Sequence, residues 1–352
     1  MALAATTAAL FYKEPQKPQP GMSVQQVMSP EEYDILEPGR GRLASAPHKI
    51  PPKGWKDILW RTYQEVTHDR LSAVAGSVTF YTLMALFPAI GVFASLYGLV
   101  SDVEQVRSQL ADLATVFPRE VLDLIGDQMM SMATRRPVSL SAAFLIFLLV
   151  SIWSANAGIK ALVDGLNIAY DELEKRNYFL RQALTYSFTA GALVFLTLVT
   201  AILVAAPIAI RNLGNLRLLE AWIPLRWALL LLVAASAFSI LFRYGPCRSR
   251  ARWRWVTSGG FFAACLWLGG SLGYSWYLNH IAHLDATYGS LGAVIAFMLW
   301  VYVSVMAVLI GAELNAEIEH QTALDSTSGA PRPIGQRGAA MADTVGLALR
   351  GG

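Results

Sequence analysis

Residues 183–210 read ALTYSFTAGALVFLTLVTAILVAAPIAI, without one charged side chain. A hydrocarbon core about 30 Å thick is crossed by roughly 20 apolar residues in helical form. A helix satisfies its own backbone groups, so lipid can solvate a stretch that water would expel. Comparable runs recur on both sides of it, at about 71–100, 139–160, 227–242, 256–278 and 288–312. The chain therefore reads as an all-α, polytopic helical membrane protein with about six transmembrane helices. Composition agrees, since hydrophobic residues make up 55% and charged residues 15% of the 352 residues. Soluble domains carry about 25% charged residues.

The charges sit between these runs and set an expected orientation. One set of flanks holds Lys53, Lys56, Arg61 and Arg70, then Lys160, Lys175, Arg176 and Arg181, then Arg243, Arg248, Arg250, Arg252 and Arg254. The opposite flanks hold fewer: Arg107, Arg119, Arg135, Arg136, Arg211, Arg217 and Arg226. Basic flanks stay in the cytoplasm, which places both termini there in a multi-pass chain. The segment 1–52 is Pro-rich without a sustained apolar period, and 321–352 holds Gly, Ser and Pro; both are expected to be disordered tails around a membrane domain at 53–320. Trp55, Leu59, Tyr63 and Val66 recur at helical spacing and predict an interfacial helix before the first span. Two amphipathic stripes within 103–132 predict a small extracytoplasmic helical hairpin. Pro88 predicts a kink or break in span one.

Polar residues near the membrane gather at the expected inner ends. His68, Asp69 and Arg70 precede span one; Asn156, Lys160, Asp164 and Asn167 follow one another at steps of four, four and three, on one helical face; Glu313, Asn315 and Glu317 end span six. Lys160 and Asp164 are spaced to pair. One reading is snorkelling to headgroups with incidental pairing. The other is a polar network joining spans one, two and six around a water-accessible vestibule, because ionisable groups near hydrocarbon face a bundle interior or a cavity. The small residues of spans five and six, among them Gly269, Gly273, Gly292 and Gly311, point to close helix packing.

Other chemistry is thinly represented. The net charge of +3 gives no basic field for nucleic acid. Arg248 to Arg254 beside a span suits anionic lipid instead. His280 and His283 have only Asp285 near them, no hydrolase or nucleotide motif occurs, and neither metal nor cofactor is expected.

Read in order, several pieces resemble a known family. They are Asp69 with the small-residue span ending Leu86-Phe87-Pro88, the stretch from Trp153 to Asn167, Arg243-Tyr244-Gly245-Pro246, Tyr288-Gly289-Ser290-Leu291, and Gly311-Ala312-Glu313-Leu314-Asn315. Over roughly 55–320 the chain is similar to the YihY/BrkB family of bacterial inner-membrane proteins. The resemblance implies six spans and a link to serum resistance in virulence. It also brings the label ribonuclease BN, which the residues oppose. A metal-dependent nuclease needs clustered ligands, whereas His48, His68, His280, His283 and His320 are dispersed along the chain. The expected function is transporter-like or lipid-handling, with Asp69, Asn156, Lys160, Asp164, Glu313 and Asn315 at the site. A non-transporting envelope scaffold is the alternative, and a ribonuclease ranks last.

Overall fold

The computed structural model describes residues 28–97, 142–212, 216–282, 284 and 288–349. The expected hairpin at 103–132 lies outside the described residues, as do 1–27, His283 and Asp285.

The described helices are α1 (Pro30–Leu36), α2 (Pro52–His68), α3 (Leu71–Tyr97), α4 (Ala142–Ala169), α5 (Tyr178–Thr200), α6 (Ala206–Asn212), α7 (Leu216–Tyr244), α8 (Trp253–His280), α9 (Gly292–His320) and α10 (Ala340–Asp343). Among the described residues no strand forms; Ala251 and Thr327 make an isolated antiparallel bridge. Among the described residues six helices are long and apolar enough to cross a membrane: α3, α4, α5 continued into α6, α7, α8 and α9. The all-α, six-span expectation therefore holds. Outward-facing Leu193, Val194, Leu196 and Leu232 are more than half exposed, as side chains meeting lipid rather than water would be.

Span four is longer than expected. The apolar run suggests 227–242, yet α7 begins at Leu216 and passes through Pro224. α3 likewise continues through Pro88, so the break expected there does not occur. Pro207 acts differently. It offers no N–H and crowds the carbonyl four residues back, and the turn just before it, Ala201–Ala205, widens to a π-helix.

α9 is the central helix, touching α2, α3, α4 and α8. α8 packs closely on α9 and on α7 because glycines remove the intervening side chains. A Cβ on Gly311 would lie 2.9 Å from Ala263 Cα, and one on Gly260 would lie 2.8 Å from the Ser239 nitrogen and 2.9 Å from the Ala235 oxygen.

Both described ends of the chain gather at one end of the bundle, here called the terminal end. There the described segments 28–52 and 321–349 are held by hydrogen bonds to the helices and to each other. Buried Arg42 donates to the carbonyls of Gln321 (3.0 Å) and Gly346 (2.6 Å). Arg40 bonds both Asp57 oxygens at 2.6 and 2.8 Å, and Asp57 accepts from the Leu349 nitrogen at 3.0 Å. Arg337 donates to the carbonyls of Ala342 and Ala323. Segments without apolar periodicity thus fold through charge-assisted bonds to distant main-chain oxygens, which leave no pattern along the sequence. α2 shows the same inversion: its polar Asp57 and Arg61 are buried, while Leu59 and Tyr63 of the apolar stripe face outward.

Candidate functional site

The last two turns of α9 carry Glu313, Asn315, Glu317 and Glu319, all almost fully buried. Elsewhere burial of four such groups on one helix would be prohibitive, so each must be accounted for by its partners. Glu319 receives both terminal nitrogens of Arg248, at 2.9 and 2.8 Å, between side chains of zero exposure. It also accepts from Asn315 (3.1 Å) and Ser326 (3.1 Å). Asn315 donates to the Tyr170 hydroxyl at 2.9 Å, and Arg248 stacks over that ring at 4.2 Å. Burial by itself would lower the Arg248 pKa, but Glu319 outweighs it and holds it above its ordinary value. Burial raises that of the Tyr170 hydroxyl. Arg248 was expected to meet lipid; it is spent inside the protein. Arg250 and Arg254 are exposed.

Glu317 pairs with Arg61, whose terminal nitrogens also reach the Gln321 side chain (2.8 Å) and the Leu347 carbonyl (2.8 Å). Glu313 differs from both. Its Oε2 is buried with no hydrogen-bond partner. The charged groups acting on it most strongly are acids, Asp69 first, then Glu317, Glu65 and Asp171.

Two left-handed residues bring those acids together. Arg70 (φ 52°) makes the tight turn from α2 into α3, leaving Asp69 as the C-cap of α2. Asp171 (φ 51°) ends α4 in a Schellman pattern, its N–H donating to the Ile168 carbonyl (2.9 Å) and that of Glu172 to Asn167 (2.8 Å). A left-handed non-glycine residue costs roughly 1–2 kcal/mol, a strain that Asp tolerates better than most. Burial first, then the charges of Asp171 and Glu65, push the Asp69 carboxyl up to about 6. Burial likewise raises Glu65 and Asp171, the latter against the opposing pull of His320. His68 and His320, far apart in sequence, both act on Asp171.

The six residues expected at the site are not one cluster. Asp69 is the charged group that acts most strongly on Glu313 at the terminal end, and Asn315 belongs to the Arg248 network. Asp164 pairs with Arg181 (2.6 and 2.8 Å) rather than with Lys160, which forms no ion pair among the described residues. One terminal nitrogen of Arg181, across the helix gap, reaches both Asp164 oxygens, whereas Lys160 lies one turn away on the same helix. Asn156 lies far from the others. A Cβ on Gly165 would touch Leu309 and Val74, and one on Gly158 would touch Thr82. α4 thus runs alongside α9 with position 165 level with 309, so at 1.5 Å per residue Asn156 and Glu313 are separated by about 20 Å along the bundle. Asn156 is 1% exposed, and neither its Oδ1 nor its Nδ2 has a partner. Glu65, Asp171 and His320 were missed by sequence reasoning; the turns at Arg70 and Asp171 bring Glu65 and Asp171 to the end of α9 that carries Glu313, Glu317 and His320.

Asn167 was correctly placed on the polar face, and its role is structural. Its amide donates to Glu174 (3.1 Å) and accepts from the Cys247 nitrogen (2.8 Å), tying the α4–α5 loop to the α7–α8 loop. Burial opposes ionisation of Glu174, but bonds from the Arg176 side chain (2.7 and 2.6 Å) and backbone outweigh it and bring the carboxyl down to about 2. A lowered folded pKa stabilises fully above the unfolded value of about 4.3 and loses that contribution as pH falls towards 2. Glu174→Gln should therefore cost about 1 kcal/mol at pH 7 and almost nothing near pH 2. Thermal unfolding in detergent at the two pH values checks this, and an equal loss at both would contradict it.

The profile of the virulence factor BrkB family matches residues 62–334. A ribonuclease-like protein of Bacillus subtilis (strain 168), YfkH, is 29% identical over 69% of this chain and 88% of its own length. A UPF0761 membrane protein of Methylibium petroleiphilum is 27% identical over 80% of this chain and 67% of its own, and one of Vibrio vulnificus (strain YJ016) is 27% identical over 77% and 85%. No solved structure matches the chain. Six membrane-length helices, the buried acids at the end of the sixth, and a profile that covers most of the sequence lead to one assignment: the chain is a membrane protein of the BrkB virulence-factor family.

Proposed function

We propose that this protein is transporter-like, moving a solute or a lipid across the bacterial cytoplasmic membrane along a polar path bounded by α3, α4 and α9, with both termini in the cytoplasm. The observation that carries the reading is Asn156. A buried amide without partners costs about 1–3 kcal/mol, and it sits within a span, where polar side chains face partners or a water-filled cavity rather than lipid. Glu313 repeats the pattern about 20 Å nearer the terminal end. Two unmet polar groups at different depths along neighbouring helices suit a passing ligand or water that supplies the missing bonds in turn. The basic bias of the loops supports the orientation, and exposed Arg250 and Arg254 suit anionic headgroups of the inner leaflet.

Asn156→Leu separates this from an architectural role. Leucine is close in size and needs no partner, so the variant should be as stable as the parent or more stable, by about 1 kcal/mol. It should accumulate normally in the membrane yet fail to restore envelope resistance to a strain lacking the protein. Full restoration by Asn156→Leu and by Glu313→Gln would remove the path. A scaffold would instead keep its function in both variants and lose it when residues 103–132 are deleted.

A further inference from the structure

Residues 321–349 cross the terminal end in two parts that are held in different ways. Up to Asp343 the segment is anchored by buried side chains, among them Gln321, Ala323, Ser326, Arg337 and Met341. From Thr344 to Leu349 no side chain is buried, and Leu347 is 76% exposed. Main chain holds this last stretch. The Gly346 nitrogen donates to the His320 carbonyl (2.8 Å) and that of Leu349 to Asp57 (3.0 Å). The carbonyls of Gly346, Leu347 and Leu349 accept from Arg42 (2.6 Å), Arg61 (2.8 Å) and Arg40 (3.2 Å). The Thr344 hydroxyl adds bonds to the Ala340 carbonyl (2.8 Å) and His320 Nε2 (3.0 Å). Water can replace such bonds at little net cost, and little apolar area is exposed when the stretch leaves. The arginines beneath it do not depend on it. Arg40 is paired with Asp57, Arg42 with Glu37 and Arg61 with Glu317. Lifting residues 344–349 therefore strands no buried charge, which is what makes an ion pair costly to break.

We propose that residues 344–349 are an autoinhibitory lid, which lifts as a unit from the terminal end while 321–343 stays in place. Lifting uncovers the His320 ring and the donors of Arg42 and Arg61. Gly346 is the residue that lets the lid seat. It lies against the Arg61 guanidinium, where a Cβ would stand 2.5 Å from Cζ and 2.7 Å from Nε. Arg61 is held by Glu317 and by the Gln321 side chain (2.8 Å), so an added side chain displaces the lid rather than the guanidinium. The lid itself does not depend on transport. Its inhibitory effect rests on the transporter reading, because only a path has a mouth to cover.

Hydrogen exchange on the unaltered full-length chain in nanodiscs tests the lid. The amides of Gly346 and Leu349 should exchange at least about tenfold faster than those of Ala323 and Ala342, since a separate unit opens without the rest. In Gly346→Val the stretch 344–349 should lose its protection while Ala323 and Ala342 keep theirs. Diethyl pyrocarbonate should then modify His320 several-fold faster and His280 at the same rate as before, as read by mass spectrometry. Equal protection of both parts in the unaltered chain, loss that spreads to Ala323 in the variant, or unchanged labelling of His320 would each overturn the lid. For inhibition, Gly346→Val at equal, limiting membrane levels should restore envelope resistance more fully than the parent, and equal or lower resistance would overturn that role. Failure of the transporter reading shows elsewhere, as full restoration by Asn156→Leu and Glu313→Gln, and leaves the exchange result standing.

Discussion

Replacing Arg248 by alanine is expected to destabilise the protein by about 3–5 kcal/mol, the cost of leaving a buried carboxylate without its cation. Glu319 and Arg248 have zero side-chain exposure and share two bonds, so removing the guanidinium strands the carboxylate away from bulk solvent. Bonds from Asn315 and Ser326 would remain, but neutral donors offset only part of a full charge. The cation over the Tyr170 ring is lost as well, worth about 2 kcal/mol when desolvated. Lysine should rescue poorly, because it cannot present two parallel donors. Replacing both partners, as in Arg248→Met with Glu319→Leu, should be far milder than the single change, since no charge is then stranded. Unfolding in detergent with added denaturant measures all three. A single variant as stable as the parent would show that the pair is not buried as described.

Gly260→Leu is expected to be as damaging by a different route. A side chain there meets main chain, the Ser239 nitrogen at 2.8 Å and the Ala235 oxygen at 2.9 Å, and main chain cannot rotate away. α8 and α7 would have to separate, forfeiting contacts along both helices, which goes beyond the about 1–3 kcal/mol typical of overpacking a flexible core. Loss of a monodisperse folded species on size exclusion is the expected result. Gly269→Leu provides the control, since a Cβ there meets nothing within 4 Å. Both glycines lie on the same helix and look alike in the sequence.

That pair shows where sequence reasoning stops. Small residues on spans five and six signal close packing, but not which of them does the packing. The same limit applies to the site. Asp69, Asn156 and Glu313 were recognisable as polar groups out of place near hydrocarbon, and the structure leaves Asn156 and Glu313 buried with unmet atoms. Their assembly into one cluster was not recognisable, and Asn156 stands about two-thirds of a hydrocarbon thickness from Glu313. Asp164 took the arginine of the next span instead of the lysine on its own.

Hydropathy alone was enough for the class of fold and the number of spans, because expulsion from water depends on the length and polarity of each segment taken separately. Which charges meet was settled only in three dimensions. Arg42 and Arg61 reach residues near 320 and 346, and Arg248 reaches Glu319, across separations that no local periodicity encodes. Membrane insertion is a sum over local transfer energies, whereas a buried ion pair is a property of two distant groups and the packing that excludes water from both.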